Sequence, residues 1–305
     1  MHRRLNSRTT FWLAAAMLAL GACGSGDGSP PRSTPEIVAT TSILADVVGE
    51  LVGDQASVVT VMPNGADPHD FQPSAQQIAQ LRDAGAVIAN GGGFEGGLAA
   101  TLDSARRDGI PVFSAIDVVD TRPLGDAIDP HFFTDPARMA VAARAMSAFI
   151  TEQLPTIDAD AVAARTSAYI EQLDGLDAEI AGMVDALDPA QRTLVTNHEV
   201  FGYFADRYGF DVLGVIVPGG GTAAEPSASG LDALAESIRL AGVPAIFVDV
   251  SSPDRLAESL AAEVGEVQVV SLYSESLGEP GSGADTYLGM MRTDARRIVD
   301  ALGAG

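Results

Sequence analysis

From residue 36 onward, short runs of β-branched and apolar residues alternate with segments whose apolar positions fall three or four apart. The runs Ile37 to Thr41, Val58 to Met62, Ala86 to Ala89 and Val112 to Phe113 predict strands. Helices fit between them at about 43–53, 74–84 and 96–108. Strand and helix in strict alternation require crossovers, which are right-handed, and so predict a mainly parallel sheet. The arrangement recurs with strands near Leu194 to Thr196, Val212 to Val217, Ala245 to Val248 and Val267 to Ser271, and helices at about 200–208, 229–241, 253–264 and 285–302.

The pattern between these stretches is purely helical. Thr134 and Asp135 precede Pro136, a first-turn proline that opens a helix running to about Gln153. Pro155 ends it, and Asp158 or Asp160 can cap the next. In that second helix Val162, Tyr169, Leu173, Leu176, Ile180, Met183 and Leu187 keep helical spacing from about 158 to 187. At 1.5 Å per residue such a helix is roughly 45 Å long, enough to run past both α/β units. The expected fold is therefore α/β with two lobes, each a mainly parallel four-stranded sheet flanked by helices: an N-terminal lobe 36–135, linking helices 136–189 and a C-terminal lobe 190–305. A long helix makes a stiff link, so wide hinge closure is not expected.

The first residues have a different character. Arg3, Arg4 and Arg8 precede an apolar run from Phe11 to Leu20, as in an export signal, and the run is too short to span a bilayer. It ends in Leu20-Gly21-Ala22-Cys23, which resembles the lipobox of bacterial lipoproteins. Residues 1–22 are then a signal peptide and Cys23 is the lipidated N-terminus, with 23–35, rich in Gly, Ser and Pro, as a flexible tether. Cys23 is the only cysteine, so no disulfide framework exists. A lipid there would hold the protein on the cell membrane, facing the periplasm or the cell exterior, with no transmembrane helix.

The formal charge is −23, and loss of the three leader arginines makes it −23 − 3 = −26. That excludes a nucleic-acid footprint and suits a cationic ligand. The chemistry that gives this charge a target lies in three histidines, His69, His131 and His198; the fourth, His2, is in the leader. Two occur in the same tripeptide, Asp67-Pro68-His69 and Asp129-Pro130-His131. All three fall in loops, at strand ends or before helix starts, and in an open parallel sheet the loops leaving strand carboxyl ends are where ligands bind. Three imidazoles and one oxygen donor would close a tetrahedral zinc site. Asp285, after the Gly-rich stretch 278–283, is the best candidate for the fourth position, although the residues alone favour a helix N-cap there.

These residues resemble the zinc and manganese solute-binding lipoproteins of bacterial ABC importers, the cluster A-I or class III family. The resemblance covers nearly all of Glu36 to Leu302 and rests on Asp67-Pro68-His69 with Pro73-Ser74, on Asp129-Pro130-His131-Phe132-Phe133-Thr134-Asp135-Pro136, and on His198-Glu199-Val200-Phe201-Gly202-Tyr203-Phe204. Glu225-Pro226-Ser227, Ala245-Ile246-Phe247-Val248 and Asp285-Thr286-Tyr287 extend it. It implies metal ligands His69, His131, His198 and Asp285, two from each lobe. It implies Zn(II) as transported ligand, an ABC permease as partner, membrane attachment through Cys23, and a monomer. At the third ligand position manganese-type members of the family commonly carry Glu, whereas this chain has His198, and an imidazole-rich set favours zinc over manganese or iron. One departure is that residues 114–128 contain no histidine, where many zinc-type members insert a His-rich loop.

Asp67, Asp70, Asp129, Glu199 and Glu225 are near enough in sequence to hydrogen-bond the imidazoles and fix their tautomers. The runs Gly91-Gly92-Gly93 and Gly219-Gly220-Gly221 lack the Lys and Ser/Thr of a phosphate loop and are expected to be a tight turn and a loop near the cleft. Two functions of other classes compete with a receptor. A zinc hydrolase needs an open coordination position, which four protein ligands remove, and His198-Glu199 is not part of a His-Glu-x-x-His helix. A surface adhesin with structural zinc would lose much of its fold without metal, whereas a transport receptor stays folded. The chain is therefore expected not to be an enzyme.

Overall fold

The computed structural model describes residues 34–219, 221–222, 225–252, 254–265 and 267–303. The leader, Cys23 and most of the tether lie outside the described residues. No helix among the described residues is long and apolar enough to cross a membrane.

In chain order the first half runs β1 (Glu36–Ala39), α1 (Ser42–Val52), β2 (Ser57–Thr60), α2 (Ala75–Asp83), β3 (Ala86–Ala89), α3 (Ala99–Arg107), β4 (Val112–Ser114), then a small hairpin of β5 (Pro123–Leu124) and β6 (Ala127–Ile128). Two helices follow, α4 (Pro136–Gln153) and α5 (Ala159–Val184). The second half runs β7 (Thr193–Thr196), α6 (Gly202–Tyr208), β8 (Asp211–Val215), α7 (Ala228–Ala241), β9 (Ala245–Asp249), α8 (Arg255–Val264), β10 (Gln268–Leu272) and α9 (Tyr287–Gly303).

The strands form two parallel sheets, β2-β1-β3-β4 and β10-β9-β7-β8. Read from opposite edges these are one order, second-first-third-fourth, so the second half repeats the topology of the first. The inner strands β3 and β9 are buried along their whole length, as strands covered by helices on both faces must be. Helix starts are set by local chemistry. Thr41 caps α1 by accepting from the amide of Leu44, and Ser74 with Gln77 forms a capping box at α2. Asp135 accepts from the amide of Ala137 at α4, where Pro136 occupies the first turn, and Asp158 caps α5.

Helix α5, 26 residues and so about 39 Å long, packs against α4, α1 and α9. One hydrophobic core runs through α1, α4, α5, α9 and both sheets, while a second, smaller one fills the outer face of the first sheet around Val38, Leu81 and Leu98. The stiff link is therefore embedded in packing shared by both halves. The hairpin β5–β6 has no counterpart in the hydrophobic periodicity, and the expected helix at about 96–108 begins as a three-residue helical turn at Gly96–Leu98 ahead of α3.

Candidate metal centre

The carboxyl ends of both sheets face one region, and four of the loops leaving them each deliver one donor. His69 lies in the loop after β2, where the Asp67 carboxylate accepts from the His69 amide at 2.9 Å and fixes the turn. His131 follows the hairpin and precedes the short turn Phe132–Thr134 that leads into α4. His198 follows β7, held by the Thr196 hydroxyl on its carbonyl at 2.7 Å and by the neighbouring Asn197 amide on Phe247 O at 2.9 Å. The fourth is Glu275, three residues beyond the end of β10.

The potential donor atoms of His69, His131, His198 and Glu275 all lie within 4.8 Å of one another. Glu275 Oε1 is 2.8 Å from His69 Nε2, 3.0 Å from His198 Nε2 and 3.7 Å from His131 Nε2, and the Nε2 atoms of His69 and His131 are 3.4 Å apart. A tetrahedron with bonds near 2.05 Å has donor separations of about 3.3 Å, so these distances bracket a zinc-sized site. His131, His198 and Glu275 are fully buried, and the edge of Phe94 stacks against His69 and His131 at 5.1 and 5.5 Å between centroids, keeping water from that side. Glu275 Oε2 and His198 Nδ1 are buried without a hydrogen-bond partner among the described residues. A buried carboxylate oxygen beside three imidazoles, with nothing donating to it, is the electrostatic setting for a cation.

Hydrogen bonds within the cluster set its protonation in the absence of metal. Burial opposes ionisation of Glu275, but hydrogen bonds from His131, His198 and His69 outweigh it and hold the carboxyl well below its usual range. Burial likewise opposes charge on His131, yet its bonds to Asp129 and Glu275 raise its pKa above the ordinary value. Asp129 Oδ1 lies 2.8 Å from His131 Nδ1 and also accepts the His131 amide at 3.0 Å, which turns Nε2 toward the centre. Arg122 and Tyr203 fix Asp129 in turn, through its Oδ2 at 3.2 Å and its carbonyl at 2.8 Å.

The structure brings together the three predicted histidines and places Glu275, not Asp285, beside them. Asp285 is exposed, and its Oδ2 accepts from the amide of Gly281 at 2.9 Å, closing the turn before α9. It does not cap α9 either: Thr286 directly precedes that helix and its hydroxyl accepts from the amide of Gly289 at 3.1 Å, while the first helical amide, Tyr287 N, donates to Asp46 of α1 at 2.8 Å. Of the acids nominated to orient imidazoles, Asp129 touches one. Asp67 holds the His69 turn and accepts from the Thr222 hydroxyl. Asp67, Asp70 and Glu225 line a cavity of about 340 Å³ bordered by His198. Glu199 lines two neighbouring clefts and makes no hydrogen bond to an imidazole among the described residues. Gly91 and Gly92 form the tight turn expected of them, with φ of 81° and 66°, below Phe94.

This architecture is shared by known proteins. The family described as ZnuA, zinc-uptake complex component A, periplasmic, matches residues 37–301. The chain is 32% identical to the zinc-binding protein TroA of Treponema pallidum over 95% of this chain and 98% of that one. It is 26% identical to the manganese-binding lipoprotein MntA of Halalkalibacterium halodurans, over 95% and 96%. The solved structure of TroA superposes with a TM-score of 0.84 at 29% identity, covering 88% of this chain and 99% of that one. A manganese-bound periplasmic metal-binding protein from Candidatus Liberibacter asiaticus, 20% identical, shares the fold with a TM-score of 0.78 over 88% and 99%. Fold, site and relatives define a metal-binding receptor of the ABC-importer class. Within that class, the chain belongs to the ZnuA family.

Proposed function

We propose that the protein is an extracytoplasmic receptor that captures Zn(II) between its two lobes, 36–135 and 190–305, and hands it to the permease of an ABC-type zinc importer. The observation that carries this reading is the convergence of His69, His131, His198 and Glu275 with their donor atoms within 4.8 Å in a buried pocket. Zinc arrives hydrated, and the four side chains replace its water with three neutral imidazole nitrogens and one anionic oxygen. Glu275, held ionised, supplies the compensating charge, and Asp129 orients His131 and strengthens it as a donor. Four protein ligands leave no position for an attacking water, so the site suits capture and release over hydrolysis. The lipid on Cys23 and the tether 23–35 would keep the monomeric receptor at the membrane beside its permease.

A second reading, a manganese receptor, draws support from the name of MntA, which aligns over nearly the same length as TroA. The three-nitrogen donor set favours zinc, because manganese prefers hard oxygen ligands. Equilibrium dialysis with elemental analysis decides: one zinc per chain, retained against a hundredfold excess of Mn(II), is expected of wild type. Preferential retention of manganese would replace the zinc reading, and uptake of neither metal would end both.

A further inference from the structure

Glu275 stands where the chain passes from one half of the molecule to the other. The residues before it are tied to the second half: Tyr273 N donates to Asp294 Oδ1 at 3.0 Å, and Ser274 N and Oγ donate to Asp249 Oδ2 at 2.8 and 2.6 Å. The residues after it are tied to the first half: Gly65 N donates to Ser276 Oγ at 3.0 Å, Leu277 N to Ser42 Oγ at 3.0 Å, and Asn64 Nδ2 to Gly278 O at 3.1 Å. The carboxylate that faces all three imidazoles through one oxygen is thus suspended between two anchored segments.

The anchor at Asp249 is unusually complete. The residue ends β9, in register with Leu272 of β10, and is 1% exposed. Besides the two Ser274 donors on Oδ2, its Oδ1 accepts the Ser251 amide at 2.6 Å and the Ser251 hydroxyl. A carboxylate that deep is costly unless its lone pairs are filled, and four donors fill them. The β9–β10 pairing does not require it, since the ladder already joins the strands from Gln268 to Leu272. What the four bonds add is a fixed backbone at Ser274, and hence a fixed direction for the next side chain.

We infer that Asp249 is a positioning residue for cargo retention: through Ser274 it holds Glu275 against the three imidazoles, and the rate at which metal leaves depends on this clamp. The inference rests on the metal-receptor reading. When the clamp loosens, Glu275 withdraws first, the site falls to three imidazoles, and the metal escapes. Association is unaffected, because the incoming ion is met by the imidazoles whatever the stiffness of the β10 exit.

The test measures zinc dissociation by stopped flow into a chelating indicator, zinc association, and melting of the metal-free protein, for wild type, Ser274→Ala, Ser274→Thr and Asp249→Asn. Ser274→Ala is expected to release zinc ~10-fold faster and Asp249→Asn up to ~100-fold faster, the range seen when groups that orient ligands are removed. Association and the metal-free melting temperature of Ser274→Ala should stay at wild-type values, and Ser274→Thr, which keeps the hydroxyl, should restore slow release. X-ray absorption of zinc-loaded Ser274→Ala should show the oxygen contribution weakened with the imidazole contribution intact. Unchanged dissociation in Ser274→Ala, or a lowered metal-free melting temperature as its sole effect, overturns the inference, and this variant decides even if Asp249→Asn does not fold. Wild type that binds no zinc overturns the receptor reading instead, a distinct result.

Discussion

The Oδ1 atom of Asp129 sits 2.8 Å from Nδ1 of His131, on the far side of the ring from Glu275, and also accepts the His131 main-chain amide. One carboxylate oxygen thus fixes both the backbone and the ring of a donor. Asp129→Asn keeps the shape but weakens the hold on the tautomer that presents a lone pair at Nε2. Zinc affinity should fall by about 10- to 100-fold by competition with a chromophoric chelator, with the metal-free melting temperature little changed. An affinity equal to wild type would mean that Asp129 orients nothing the metal uses.

Glu275 and Asp285 make a paired prediction. Metal sites with four protein ligands bind with about 10–16 kcal/mol, so loss of one ligand is worth ~3 kcal/mol, or about 100-fold. Glu275→Gln should show that loss by isothermal titration. Asp285→Ala, at an exposed turn, should stay within about 2-fold of wild type, as surface substitutions of about 0.5 kcal/mol do. The reverse result would restore Asp285 to the site.

Gly97 offers a steric prediction. A Cβ there would lie 2.0 Å from the carbonyl oxygen of Phe71, two residues beyond His69, and one at the neighbouring Gly96 would lie 3.0 Å from the His69 carbonyl. Backbone cannot yield as a flexible side chain would, so Gly97→Ala must push the His69 loop outward at a cost of about 1–3 kcal/mol. Lower zinc affinity together with a lower melting temperature is expected. Wild-type values for both would show that the loop has slack.

Asp294 carries a pH prediction. Burial in α9 pushes its carboxyl from the ordinary 3.8 up to about 8, against the Tyr273 amide and Arg297, which lower it. The folded protein therefore keeps this proton after the unfolded chain has lost it, and binds more protons between those two values. Stability from this group is full below pH 4 and falls as pH rises toward 8. Asp294→Asn removes the titration and keeps an acceptor for Tyr273. The melting temperature at pH 8 relative to pH 5 should be higher in the variant than in wild type by on the order of 5 °C, since about 2–4 °C accompany each kcal/mol in chains approaching this size. Parallel pH profiles would contradict the assignment.

Much of this structure is visible in the residue pattern. The buried strands announce themselves because inner strands of a helix-covered sheet must be apolar on both faces, as Ala86 to Ala89 and Ala245 to Val248 are. Helix α4 is declared by Asp135 and Pro136, whose roles are local. The hairpin β5–β6 is not, because two-residue strands carry no period and this one is held by Arg122 and Asp129 across to Tyr203, far along the chain. The three clustered histidines were legible because histidine is rare here, with four in the whole chain, whereas acids number 41 and no single one stands out. The rule that strand carboxyl ends carry ligands pointed at Glu275, just past the β10 run, as surely as at His198 past β7. Asp285 drew attention instead because a Gly-rich loop before a helix looks like a ligand loop. Its carboxylate proved to be spent on the turn itself.

The central claim is that zinc is held by three imidazoles and the Glu275 carboxylate. X-ray absorption at the zinc edge on the loaded wild-type protein and on Glu275→Gln tests it most directly. Four-coordinate zinc with three imidazole nitrogens and one oxygen, the carboxylate oxygen being lost in Glu275→Gln, is the predicted result. Unchanged coordination in that variant, or wild-type zinc bound by fewer than three imidazoles, would contradict it.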